Sequence, residues 1–509
     1  MDQPIGFPAL TRRFLVSGAA IAGAAAGLPG GRALAAQTML TVALQGLPDS
    51  LDTGVSSFAA LNLAYQTLDP LVLRDDRGQL LPGLAERWTA VDSKTWKFEL
   101  RRGVAFHDGR PFSAQDVKFT LDYILDPKSV YGSKSRISQI EGCEPLDDHT
   151  LLVTTKGPFP TLINGLSDIA IEPRHYVEKV GRAGMIARPI GTGPFEFEKW
   201  LPGDRYELKS NAKYWGGTPR IERLVLRQIP EGSTRVASLL AGEAQIVEEL
   251  PIDLIAAVQN SRNATVASVE STVGLILTFD TRKPPFNDRR VRLALNLAID
   301  KQKILDRMLL GQGSVLQGQI LTSNTFGFNP ALKAYPYDPK RAKALLAEAG
   351  YPDGFQTSLT TRAGKYLGDV EICNVCAAMF AEIGVKTAVN VVEQGVFSKM
   401  VTARDMGPIH MVGWYSLGDA DFAAVWFTEA TGRAFWKSDE YERLFVEARS
   451  TVDQPAREKA YHRMMEIMHE DAPAICLFGL PSVYGRSKAL KDWQPPSDKI
   501  LRLRAANAA

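Results

Sequence analysis

Cys373-Asn374-Val375-Cys376 has the two-residue spacing of a dithiol redox motif. A reactive dithiol needs its first sulfur at a helix start, where the N-terminus stabilises thiolate. Residues 372–383 read instead as the body of a helix. Two buried thiols are the first expectation, with a structural disulfide involving any of the four cysteines second and redox chemistry third. His462 and His469 lie seven apart on one face of a helix, a spacing open to a metal, but no third ligand is apparent nearby. They read as the polar face of an amphipathic helix. His107-Asp108-Gly109 has an acid–base pair's residue types, yet a turn explains it better. The sequence contains no Gly-x-Ser-x-Gly elbow, Walker-type loop, Gly-x-Gly-x-x-Gly fingerprint or His-Glu-x-x-His pair. Enzymatic readings, an extracytoplasmic hydrolase or a redox protein, therefore rank last.

At 509 residues the chain exceeds what one hydrophobic core supports, so two or three domains are expected. Hydrophobic residues at 45% and charged residues at 23% exclude a disordered, collagen-like or multi-span membrane class. Lys+Arg at 59 against Asp+Glu at 57 leaves no basic surplus for nucleic acid. The N-terminus supplies a compartment. Arg12-Arg13-Phe14-Leu15-Val16, the Ala/Gly-rich run to Leu28 and Ala33-Leu34-Ala35 read as a twin-arginine-like export signal over 1–36, cleaved near Ala35/Ala36. Removing it takes three basic side chains and one acidic one, leaving a formally neutral chain. No later segment reads as a membrane span, so a soluble periplasmic protein is expected.

The rest of the chain mixes strands and helices. Residues 39–44, 95–100 and 151–155 read as strands, the second by its period-2 alternation. Ser113 with Asp116 forms a capping box ahead of Val117, Leu121 and Ile124. A strand around Leu224-Val225-Leu226, a helix over 233–241 and a strand over 244–247 form a βαβ unit, which favours parallel pairing. Asp288 is expected to cap one helix running through Leu310. Asp338-Pro339 opens another that Gly350 closes, and Asp453 with Pro455 opens a third that ends near His469.

Several segments, in order along nearly the whole chain, resemble one family: the extracytoplasmic solute-binding proteins of peptide/nickel-type ABC importers. They include Leu81-Pro82-Gly83-Leu84-Ala85-Glu86-Arg87-Trp88, Phe106-His107-Asp108-Gly109-Arg110-Pro111-Phe112-Ser113, Gly191-Thr192-Gly193-Pro194-Phe195 and Asn211-Ala212-Lys213-Tyr214-Trp215. Pro285-Phe286-Asn287-Asp288-Arg289-Arg290 and Ala349-Gly350-Tyr351-Pro352-Asp353-Gly354-Phe355 continue the pattern. The resemblance implies an α/β, type II periplasmic-binding-protein fold: two lobes around a hinged cleft plus an additional α+β domain. The expected division is 37–65, 187–281 and 482–509 for a split lobe I, 66–186 for the added domain and 282–481 for lobe II. It implies no enzymatic activity and no cofactor. The expected function is capture of a peptide or peptide-like solute by a monomer that delivers it to membrane permease subunits with cytoplasmic ATPases. Nickel–chelator, haem, opine and sugar-conjugate ligands are the alternatives.

The same resemblance points to ligand-facing residues. Gly413, Trp414, Tyr415, Leu417 and Asp419 occupy the segment matching the family's cleft strand and loop. Peptide-binding members carry an Asp three residues after this Trp, where it pairs with the peptide ammonium; here that position is Leu417, and Asp419 or Asp421 would have to substitute. Arg362 matches an arginine that dipeptide-type members place before a helix, and its guanidinium fork suits a carboxylate. Ser57, Phe58, Tyr131 and Arg136 complete the expected set.

Overall fold

The computed structural model describes residues 38–52, 58–129, 131–363, 365–432 and 434–508. The signal over 1–36 and Ser57 lie outside the described residues. Phe58 begins the helix Phe58–Thr67.

An eleven-stranded mixed sheet forms the frame. At one end Met39–Leu44 pairs in parallel with Arg223–Gln228 on one side and Ile246–Val247 on the other. The helix Gly232–Leu240 connects those two neighbours, which realises the expected βαβ unit, though its second strand is shorter than the sequence pattern implied. At the other end Phe355–Arg362 pairs in parallel with Val385–Val392 and with Ile409–Tyr415. Two long antiparallel strands, Ala264–Phe279 and Ala474–Ser487, join the ends. Their first stretch pairs Ala264 through Glu270 with Ser487 through Pro481, and pairing resumes at Gly274 with Gly479. The register breaks between Glu270 and Gly274. Gly274 is required there, because a Cβ would sit 2.4 Å from the Ile320 carbonyl oxygen.

Alternation along these strands feeds two cores, one on each face. Leu275, Leu277, Phe279, Ile409 and Met411 pack with the helices Arg289–Leu297 and Asp369–Glu382. Ile276 and Val412 pack with Asp439–Arg449 and Gln454–Asp471. A separate core, drawn from Leu71 through Ile171, lies against a four-stranded antiparallel sheet containing Thr95–Leu100 and Thr150–Thr155. The helix Ala114–Leu125 covers it, opened by the expected capping box of Ser113 and Asp116.

The expected single helix from Asp288 to Leu310 is two helices, Arg289–Leu297 and Lys301–Met308. Asp300 is the reason: its carboxylate accepts from the Lys303 N–H at 3.0 Å, starting a second helix where the first ends. All four cysteines are buried free thiols. Burial pushes the Cys373 and Cys476 thiols up to about 12, so neither carries thiolate at neutral pH. The histidines fasten loops: His462 and His469 reach the Phe328 and Lys333 carbonyls at 3.0 Å, and His107 reaches the Gly193 carbonyl at 3.0 Å. No group of three or more metal-ligating side chains occurs among the described residues.

Candidate ligand-binding site

Ile409–Tyr415 ends at a partly open cavity of about 1260 Å³, counted to include the open solvent at its mouth. Arg362, the last residue of its parallel neighbour, enters from one side. Gln394, Phe397, Ser398 and Val401 line another wall from one face of the helix Gln394–Ala403, at the spacing that puts them in register. Gly413, Trp414, Tyr415 and Leu417 complete the rim with Trp426. Five of the expected residues thus meet here: Arg362, Gly413, Trp414, Tyr415 and Leu417.

Arg362 is the dominant charge. It is only 8% exposed, yet no carboxylate lies within ion-pair distance among the described residues. One Nη donates to Gln394 Oε1 at 3.0 Å and the other to the Tyr366 hydroxyl at 3.1 Å. Its Cζ lies 3.9 Å from the Phe397 ring centroid, and its buried Nε has no partner. Neutral groups therefore orient this guanidinium without cancelling its charge. Lys365 lines the same cavity. Desolvation and the neighbouring Arg362 and Lys499 lower its basicity, so the local field favours an anion. Lys499 is itself paired with Glu249 at 2.6 Å.

Tyr366 holds the corner together. Its hydroxyl accepts from the Gly413 N–H at 2.8 Å and donates to the Gly413 carbonyl at 3.2 Å. A Cβ at Gly413 would lie 2.7 Å from the Tyr366 ring, so only glycine permits this approach. Trp414 stacks on Trp426 with centroids 4.7 Å apart and planes 14° from parallel.

Asp419, Tyr131 and Arg136 are elsewhere. Asp419 is 3% exposed and both carboxylate oxygens accept from Arg457 Nη2, at 2.9 and 3.0 Å. Asp421 accepts from Arg449 at 2.7 Å through each oxygen and from the Tyr461 hydroxyl at 3.2 Å. Both acids are committed to internal partners, which corrects the expectation that either faces a ligand amine. Leu417 itself has φ of +47°, so the loop turns sharply just before them. Tyr131 packs into the core of the small antiparallel domain, and Arg136 ion-pairs with Asp168. Neither lines the cavity. Sequence reasoning omitted Gln394, Phe397 and Trp426; the helical spacing of the first two was the available signal.

The family model for bacterial extracellular solute-binding proteins, family 5 Middle, matches residues 79–435. A relative from Salmonella choleraesuis named glutathione-binding protein GsiB is 29% identical over 424 residues, spanning 80% of this chain and 82% of its own. Two solved structures cover nearly the whole chain. The ABC transporter-associated periplasmic binding protein DppA from Helicobacter pylori, in complex with peptide STSA, is 26% identical with a TM-score of 0.74 and covers 93% of this chain and 98% of its own. AgaA from A. tumefaciens R10, in complex with agropinic acid, is 25% identical with a TM-score of 0.72 and covers 92% and 99%.

Proposed function

Because this chain belongs to the family 5 bacterial extracellular solute-binding proteins, we propose that it captures a carboxylate-bearing, peptide-like solute and hands it to an ABC importer. It works as a non-enzymatic, monomeric periplasmic protein, exported by the 1–36 signal, with permease subunits and cytoplasmic ATPases as partners. The two long strands act as the hinge between lobes, and ligand bridging the cleft stabilises the closed form.

One observation carries the ligand class: among the described residues Arg362 is a buried, oriented cation without a carboxylate, and Leu417 stands where the resemblance to peptide-binding members implies an acid. An unpaired buried ammonium costs several kcal/mol, and Asp419 and Asp421 are already engaged. The favoured ligand therefore presents a carboxylate and lacks an ordinary peptide amine. Glutathione carries its ammonium beside the α-carboxylate of a γ-linked glutamate, so that charge is offset within the ligand instead of by a protein acid, and the name of the GsiB relative supports it. An opine-like acid is the second reading, supported by AgaA with agropinic acid.

Calorimetry with glutathione, opine-like acids, di- and tripeptides and their N-acetylated forms tests this. Acids without a free peptide amine should bind, and Arg362→Ala should weaken them by about 2–5 kcal/mol. Tight binding of free peptides that disappears on acetylation and survives Arg362→Ala would defeat the reading.

A further inference from the structure

Behind the stacked Trp414 and Trp426 lies a small second pocket, which shares Val401, Val412 and both tryptophans with the main cavity. Its origin is legible in strand geometry. His410, Val412 and Trp414 alternate onto one face of Ile409–Tyr415, and Thr278 sits directly opposite His410 on the neighbouring strand. Phe427, Phe435 and Trp436 close the far side. The walls are apolar, but three polar atoms on this lining have no partner: Thr278 Oγ1, His410 Nδ1 and Trp414 Nε1. Thr278 is 6% exposed and His410 3%.

Buried polar groups in folded proteins are almost always hydrogen-bonded. Three orphans on one small pocket, adjoining a binding cavity, mark a place built for an occupant. No charged side chain lines the pocket among the described residues. Burial also holds the His410 imidazole neutral, its pKa pushed down to about 3. Trp414 can only donate, while the threonine hydroxyl and a neutral imidazole can donate or accept.

We propose that this pocket is a subsite of the binding cavity that receives the small, neutral, hydrogen-bonding tip of a ligand side chain, a thiol, hydroxyl or carboxamide, and rejects charged tips. The inference rests on the reading of the main cavity as the ligand site. It adds a determinant: Arg362 fixes a carboxylate, and the pocket behind the tryptophans selects the side chain.

The test uses the full-length mature protein and four tripeptides of the form γ-glutamyl-X-glycine, with X as Cys, Ser, Ala or S-carboxymethyl-Cys. Calorimetry should find the Cys and Ser forms tightest and the Ala form about tenfold weaker, the loss of one or two hydrogen bonds. The carboxymethyl form should not bind measurably. Thr278→Val, which keeps the shape and removes the hydroxyl, should shrink the Ser-over-Ala preference. Equal binding of Cys, Ser and Ala forms, or a preference unchanged by Thr278→Val, overturns the subsite and leaves the Arg362 reading standing. If no tripeptide binds, the reading of Arg362 with a γ-linked ligand fails, and crystals soaked in acetamide decide the pocket separately. Amide density between Thr278 and His410 supports the subsite; ordered water alone overturns it.

Discussion

The Asp419–Arg457 pair offers a sharp test of which acids serve the fold and which serve a ligand. The Arg457 side chain is fully buried and that of Asp419 is almost so. A single Nη reaches both carboxylate oxygens, and Arg457 Nε and the other Nη have no partner. Asp419→Ala would strand an uncompensated guanidinium between Phe326 and Tyr461, whose ring centroids lie 5.0 and 5.5 Å away. Breaking such a pair costs about 3–5 kcal/mol, far above the median for a surface pair. The thermal midpoint should fall by about 3–5 °C, as followed by near-UV circular dichroism. The double variant Asp419→Ala with Arg457→Met should recover part of that loss, since no buried charge remains unpaired. Calorimetry with glutathione at 15 °C, where all variants remain folded, should give the same affinity as the parent. A variant that keeps its midpoint but loses binding would refute this, and would return Asp419 to the ligand cleft.

Gly413→Ala should force the Tyr366 ring away, costing about 1–3 kcal/mol by overpacking, and weaken acid binding because Arg362 loses its hydroxyl partner. His410, neutral and buried, has a folded pKa of about 3 against an ordinary 6.5, so its contribution is complete above pH 6.5 and is lost as pH falls toward 3. That amounts to about 5 kcal/mol, and His410→Leu should flatten this limb in urea melts run across the acid range. Arg12→Lys with Arg13→Lys should block accumulation outside the cytoplasm if export follows the twin-arginine route, as cell fractionation would read. Thiol titration of the native protein should find no reactive cysteine until denaturant is added, because all four sulfurs are buried.

Local order was readable where it depends on neighbours in sequence. Ser113 with Asp116, Asp338 ahead of Pro339 and the alternation of residues 95–100 each fix their element through backbone groups a few residues away. Asp300 carried the same type of cap signal, but the apolar pattern across residues 291–304 hid the break. The cavity was legible in part because residues 413–417 and Arg362 sit at the ends of adjacent parallel strands. Asp419 and Asp421 misled for a different reason. Their partners Arg457 and Arg449 lie 38 and 28 residues further on, and a sequence gives no sign that carboxylates in the loop past the cleft strand point inward. Long-range pairing decided the outcome there.

The two strands shared by both halves of the large sheet also bind those halves into one cooperative unit. The chain passes into the second half along Ala264–Phe279 and returns along Ala474–Ser487, each strand contributing backbone bonds on both sides of the break at Glu270. Excising either half would cut both strands and leave their edge hydrogen-bonding groups bare, which invites pairing with other chains. Local opening of one half must therefore strip bonds from the other. Amide exchange across Leu275–Thr278 and Ile475–Phe478 should track global unfolding, whereas loops on the cavity rim exchange by smaller openings. On the proposed hinge closure, the most slowly exchanging backbone thus lies beside the hinge itself.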